Sequence, residues 1–341
     1  MGNVNCIPSK ESGNGVVRSH SKRKKTTEEE EMLHRQALAM AIHQHQLSHR
    51  FDGSMSRRTG SNSSRTLTAS SDRFNPKQIS LILETLETKK IVLVHGEGFG
   101  AWCWYKIIPM LEEAGLLPVA LDLAGSGMDH TDANSITTLA DYSKPLVDFL
   151  NTLPEDEKVI LVGHSCGGAS ISYAMEYLPK KISKAIFVSA TMVLDRQRPF
   201  DVFSDELASA EVFLQESQFL LYGNGKDRSP TALMFEKEQI KGLYFNQTTP
   251  KDMALAAVSM RPIPLAPFME KLSLTPGNYG TVRRFFVQTL DDHMLSPDTQ
   301  EKLVRENPPD GVYKIKGSDH CPFFSKPQSL NKTLLEIVQL T

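Results

Sequence analysis

The 341-residue chain is predicted to be an α/β protein, a mostly parallel sheet with helices on both faces and an inserted helical cap. Three observations predict it. From residue 90 onward, short β-branched runs (KIVLVH, PVALDL, KVILVG, AIFVSA, RRFFVQT and VYKIKG) alternate with helical stretches. The runs are continuously apolar instead of alternating in and out, as strands covered on both faces require. The spans between them (WYKIIPMLEEAG, LADYSKPLVDFLNTL, GGASISYAMEYL) and the closing KPQSLNKTLLEIVQL are long enough for helical crossovers between parallel strands.

Before this pattern lies a different kind of sequence. Residues 1–80 carry a net charge of +6 and residues 81–341 a net charge of −8. The segment is rich in Ser and Arg, places SKRKK beside EEEE and holds few aromatics, so it buries too little apolar area to offset its ordering entropy. It is therefore expected to be a disordered extension over 1–85, with one short marginal helix at 28–47, and the folded domain is expected over 86–341. Its Ser/Arg-rich composition fits a transit peptide to the chloroplast, while MGNVNC offers Gly2 for myristoylation and Cys6 for palmitoylation, which would anchor the chain at a membrane's cytoplasmic face. An unprocessed tail is the third reading. The overall formal charge of −2 argues against nucleic acid as a partner, and no apolar run reaches the ~20 residues of a membrane span. Cys6, Cys103, Cys166 and Cys321 form no C-x-x-C pair, so neither a disulfide framework nor a metal site is indicated.

The first strand, KIVLVH, ends at His95 and opens into HGEGFGAWCW, where Gly96, Gly98 and Gly100 allow close backbone approach. Their spacing is wrong for a dinucleotide fingerprint, so no cofactor is expected. After PVALDL, the strand KVILVG runs directly into Gly163-His164-Ser165-Cys166-Gly167 and a helix. This strand-turn-helix context is that of a nucleophile elbow, with Ser165 at its exposed tip. Cys166, one residue later, belongs to the helix start, where its backbone N–H is the useful group and its thiol a small buried side chain.

Past AIFVSA, residues 192–277 interrupt the rhythm with a Phe- and Met-bearing segment, expected to be a helical cap over the site. The strand RRFFVQTL is followed by Asp291-Asp292-His293, and VYKIKG by Ser318-Asp319-His320. A serine nucleophile needs a histidine base and an orienting carboxylate, in the chain order Ser, acid, His. His320 has the required strand-end position among the five histidines beyond residue 80. Asp291, nearest the strand end, is taken as the acid with Asp292 as the alternative, and Asp319 is given a structural hydrogen bond. The oxyanion donors are expected to be the backbone N–H groups of Glu97 and Cys166.

Several stretches, VLVHGEGFGAWCWYKIIPMLEEAG, VALDLAGSGMD, LVGHSCGGAS, LYFNQTTPKDMALAAVSMRPIP and KIKGSDH, resemble the plant methylesterase and hydroxynitrile lyase branch of the α/β-hydrolases. The resemblance implies the α/β-hydrolase fold, a Ser165, Asp291 and His320 triad, and hydrolysis of methyl esters of small plant hormones such as indole-3-acetate, jasmonate and salicylate. Glu97 departs from the small or aliphatic residue of that family. The Ser-Cys pair resembles the lyases, but His320 is followed by Cys321 and not by the lyases' lysine, and His95 by Gly96 and not by their threonine. The sequence therefore points to a methyl ester hydrolase acting on a small-molecule ester. The alternatives are a ligand receptor on a hydrolase fold and cyanohydrin cleavage.

Overall fold

The computed structural model describes residues 86–204 and 219–340. The disorder expected over 1–85, the helix at 28–47, and the Gly2 and Cys6 motifs lie outside the described residues.

The first four predicted strands form β1 (Lys90–Val94), β2 (Leu117–Leu121), β3 (Val159–His164) and β4 (Ile182–Val188). Three short strands follow in the insertion, β5 (Phe219–Leu221), β6 (Ala232–Met234) and β7 (Ile263–Pro264). The last two predicted strands are β8 (Arg283–Thr289) and β9 (Gly311–Ile315). The main sheet has the order β2-β1-β3-β4-β8-β9, and every neighbouring pair in it is parallel. Continuous burial holds for the inner strands: Ile91 to Val94 and Val159 to Val162 are fully buried. At the edge, β9 alternates instead, with Val312 40% exposed and Ile315 buried.

Four helices make the main crossovers and the closing layer: α1 (Ile107–Glu113), α2 (Leu139–Thr152), α3 (Gly167–Tyr177) and, at the end of the chain, Pro327–Val338. Helix α2 begins with a capping box: Thr138 Oγ1 accepts from the Asp141 N–H, and the Asp141 carboxylate accepts from the Thr138 N–H. Its Leu139, Tyr142, Leu146 and Leu150 recur at helical spacing and are buried.

The strand order puts the chain's change of direction between β1 and β3. From β1 the chain moves outward to β2, and from β3 it moves the other way to β4, so the loops after β1 and β3 part and leave a crevice at the carboxyl ends of the strands. The glycine loop after β1 and the serine turn after β3 therefore face each other.

The insertion is not purely helical, which corrects the expected helical cap. It contains helices Lys237–Leu243 and Pro250–Ser259, and also a three-stranded antiparallel sheet in the order β5-β6-β7. Its apolar runs, FLL, ALM and IP, are two or three residues long and are separated by polar, Gly- and Pro-bearing stretches such as GNGKDRSP. Runs this short carry no readable period, so only tertiary pairing defines them as strands.

Candidate active site

Strand β3 ends at His164 and the chain turns at once into α3, which holds Ser165 at φ 49°, in the left-handed region that a side chain adopts only under constraint. The neighbours show why glycine is required on both sides. A Cβ on Gly163 would lie 2.9 Å from the Gly167 carbonyl oxygen, and one on Gly167 would lie 2.5 Å from the His95 carbonyl oxygen. The surrounding sheet supplies the stability that holds this strained turn, since each buried Val, Leu or Ile contributes roughly 1.5–3 kcal/mol.

His320 follows β9 and meets Ser165 across the crevice, with Nε2 2.8 Å from the Ser165 Oγ. Its Nδ1 lies 2.8 Å from Asp292 Oδ2. Because a carboxylate only accepts, Nδ1 carries the proton and Nε2 is free to accept from the serine hydroxyl. The His320 carbonyl is fixed in turn by His164 Nε2 at 2.8 Å and Ser189 Oγ at 3.1 Å. Burial disfavours the charged His320 ring, but the charge and hydrogen bond of Asp292, with the charges of Glu97 and Asp319, outweigh it and hold the pKa above 6.5. His164 moves the opposite way: burial and the adjacent His320 push its pKa well below 6.5, so it is a neutral donor.

The carboxylate on His320 corrects the assignment of Asp291. Backbone pairing continues past β8, from the Leu290 N–H to the Ile315 carbonyl and from the Asp291 N–H to the Ser318 carbonyl. Asp291 is thereby turned toward the neighbouring loop, where Oδ2 accepts from the Gly317 N–H at 2.7 Å. Its neighbour Asp292 points the other way and is almost fully buried. There Oδ1 accepts from the Met294 and Leu295 N–H groups at 2.9 and 2.8 Å, and Oδ2 from Thr289 Oγ1 at 2.8 Å and Gln300 Nε2 at 3.2 Å. These donors compensate for burying a charge and fix the oxygen that holds His320. Asp319 accepts from the Gln247 and Cys321 N–H groups and from Thr248 Oγ1, joining the His320 loop to the insertion.

Glu97 and Cys166 meet, though through a side chain. The Cys166 N–H donates to Glu97 Oε2 at 3.0 Å, Ser165 Oγ lies 3.1 Å from Glu97 Oε1, and Tyr244 O–H donates to that same Oε1 at 2.5 Å. Burial and the Glu97 charge raise the Tyr244 pKa well above 10, which keeps it a donor. The Cys166 and Cys321 thiols are raised well above 9 by burial, with Glu97 adding at Cys166 and Asp319 at Cys321, so neither is a thiolate. Glu97 and Cys166 also border a narrow apolar cleft, walled by Phe200, Phe203, Leu233, Phe235, Phe268 and Met294.

A profile of the alpha/beta hydrolase family matches residues 91–333. The chain is 68% identical over 323 residues to an Arabidopsis thaliana protein named "Putative methylesterase 14, chloroplastic", covering 95% of this chain and 93% of that one. The chain belongs to the plant methylesterase family of α/β-hydrolases. Another member, methyl jasmonate esterase 1 of Vitis vinifera, is 38% identical over 254 residues, covering 74% of this chain and 97% of its own length. Among solved structures, polyneuridine aldehyde esterase is similar with a TM-score of 0.68 at 34% identity, covering 74% of this chain and 99% of that one. A methylesterase from Arabidopsis gives 0.65 at 34% identity, covering 73% and 98%.

Within this methylesterase framework, sequence reasoning missed Thr289, Gln300 and Tyr244, and it did not place the Glu97 carboxylate on the Ser165 hydroxyl and the Cys166 N–H. The Thr and Gln carry no local signal, because their roles arise when α-helix Pro297–Glu306 packs beneath the turn after β8. Tyr244 lies in the stretch LYFNQTTP, but nothing in that stretch marks a contact with a loop 147 residues away.

Proposed function

We propose that this protein is a cofactor-free serine esterase that hydrolyses methyl esters of small ring-bearing plant acids, such as methyl indole-3-acetate, methyl jasmonate or methyl salicylate. The observation that supports it best is the unbroken chain from Ser165 Oγ through His320 to Asp292, with both links at 2.8 Å. Ser165 attacks the ester carbonyl carbon while His320 Nε2 takes its proton, and Asp292 steadies the imidazolium. The Cys166 and Glu97 N–H groups receive the charge on the carbonyl oxygen. Collapse of the tetrahedral species breaks the C–O bond and His320 returns the proton to methanol. A water deprotonated by His320 then attacks the acyl-enzyme, freeing the carboxylic acid and Ser165.

Substrate class rests on the cleft and the relatives together. Methanol needs little room, so selectivity falls to the acyl group, and an apolar, phenylalanine-lined cleft suits a flat or alicyclic ring. Relatives at 64% and 68% identity are named chloroplastic, which supports the plastid reading of the basic extension. A second reading is a ligand receptor with little turnover, favoured by the Glu97 carboxylate on the Cys166 N–H.

A panel of these methyl esters, assayed for methanol release with wild type and Ser165→Ala, tests the proposal. Turnover by wild type and its loss by roughly 10³-fold or more in the variant is expected. Equal turnover by the two proteins would remove Ser165 as nucleophile, and tight ester binding with none would favour the receptor.

A further inference from the structure

Three donors converge on one carboxylate beside the nucleophile: the Cys166 N–H, the Ser165 hydroxyl and the Tyr244 hydroxyl all reach Glu97. In ester hydrolysis the first of these has to receive the carbonyl oxygen. While Glu97 Oε2 holds it at 3.0 Å, it cannot stabilise charge developing on a substrate. The second has a single proton and two acceptors, His320 Nε2 at 2.8 Å and Glu97 Oε1 at 3.1 Å. A hydroxyl turned toward Glu97 does not deliver its proton to the base. A carboxylate with one oxygen on an oxyanion donor and the other at the nucleophile is also arranged like the acid product of ester hydrolysis before it leaves.

We propose that Glu97 is a specificity-determining residue whose carboxylate occupies the oxyanion position as an internal stand-in for the product, so that an ester reacts only when its acyl group displaces it. This deepens the serine-esterase reading and rests on it. The displacement is driven by burial of the acyl group in the apolar cleft that Glu97 and Cys166 border, so bulky apolar acyl groups react and short ones, which bury little, do so slowly. The free acid is also held off, because two carboxylates at hydrogen-bond spacing cannot share the Cys166 N–H. The site thereby trades intrinsic rate for selectivity and for weak product inhibition.

Full-length Glu97→Ala and Glu97→Gln test this with p-nitrophenyl acetate as the short ester and a ring-bearing methyl ester as the bulky one. In Glu97→Ala the oxyanion donor is exposed, and kcat/KM for the short ester is expected to rise by ~10- to 100-fold, a smaller change than loss of such a donor usually causes. The preference for the bulky ester should narrow accordingly. The acid product should inhibit both variants at concentrations ~10-fold lower than wild type, since the repelling charge is gone. Glu97→Gln keeps the side-chain volume and a partner for Tyr244 while removing the charge, so its product inhibition decides the matter if the alanine variant folds poorly. Unchanged selectivity together with unchanged product inhibition would overturn the inference.

Labelling of Ser165 with a fluorophosphonate probe separates the role of Glu97 from that of the nucleophile. A labelled, active wild type whose Glu97 variants behave identically refutes the role of Glu97 and leaves the esterase intact. Absence of labelling and turnover in every form refutes the esterase reading and this inference with it.

Discussion

In the sheet, Ser165 and His320 stand beyond the ends of β3 and β9, and Asp292 beyond β8, so parallel pairing across four adjacent strands sets their separations. In the insertion, Tyr244 reaches the same site from the end of a seven-residue helix, and most of the cleft wall comes from short strands, single-turn helices and loops. The sheet thus delivers the reacting groups through backbone register, while the insertion delivers one hydroxyl and a set of apolar surfaces through side chains. In the proposed reaction labour is divided between them: the sheet positions the attacking groups, and the insertion, through the Tyr244 contact to Glu97 and the cleft, is assigned the choice of which molecule is admitted.

The largest effect expected of this division lies within the sheet-derived turn itself, where two adjacent aspartates have unequal roles. Asp292→Asn leaves the shape but offers His320 Nδ1 a neutral side chain that also donates, and kcat is expected to fall by about 10⁴-fold through the wrong imidazole tautomer. Asp291→Asn only exchanges the charged acceptor of the Gly317 N–H for a neutral amide oxygen, with a cost of about 1 kcal/mol in stability at most and a few-fold at most in rate. Comparable losses of kcat in the two variants, measured on one methyl ester, would contradict the control of these side chains by strand register.

The smallest effect expected is a displacement of the pH profile. His320 must be neutral to accept the serine proton, so kcat/KM rises with pH through its pKa, which lies above 6.5. The Glu97 charge is one of the contributions raising it. Glu97→Gln removes that contribution, so the acid limb of the profile should move to lower pH. A limb that stays in place would mean that Glu97 does not act electrostatically on the base.

How much of this was legible in the sequence follows the same division. The inner strands β1, β3, β4 and β8 are visible because a short apolar, β-branched run between turn residues is what a strand of a covered parallel sheet requires, and the edge strands β2 and β9 because shorter apolar runs recur between turn signals. Ser165 and His320 are visible because strand ends and chain order constrain them. Asp292 was not separable from Asp291, since a turn can present either neighbour and the contacts that decide, to Thr289, Gln300 and the Met294 and Leu295 N–H groups, form only on folding. The antiparallel strands of the insertion were hidden by their shortness. The partners of the Glu97 carboxylate were hidden because one of them, Tyr244, lies in a segment whose position relative to the β1 loop no local pattern encodes.

Everything proposed for this site depends on Ser165 carrying the acyl group of a methyl ester. The decisive measurement is rapid quenching of the enzyme with excess ring-bearing methyl ester, followed by peptide mass analysis. An acyl mass increment on the peptide containing Ser165, accompanied by released methanol and absent in Ser165→Ala, is the predicted result. Methanol release that persists in Ser165→Ala, or an acyl group found on another residue, would contradict it.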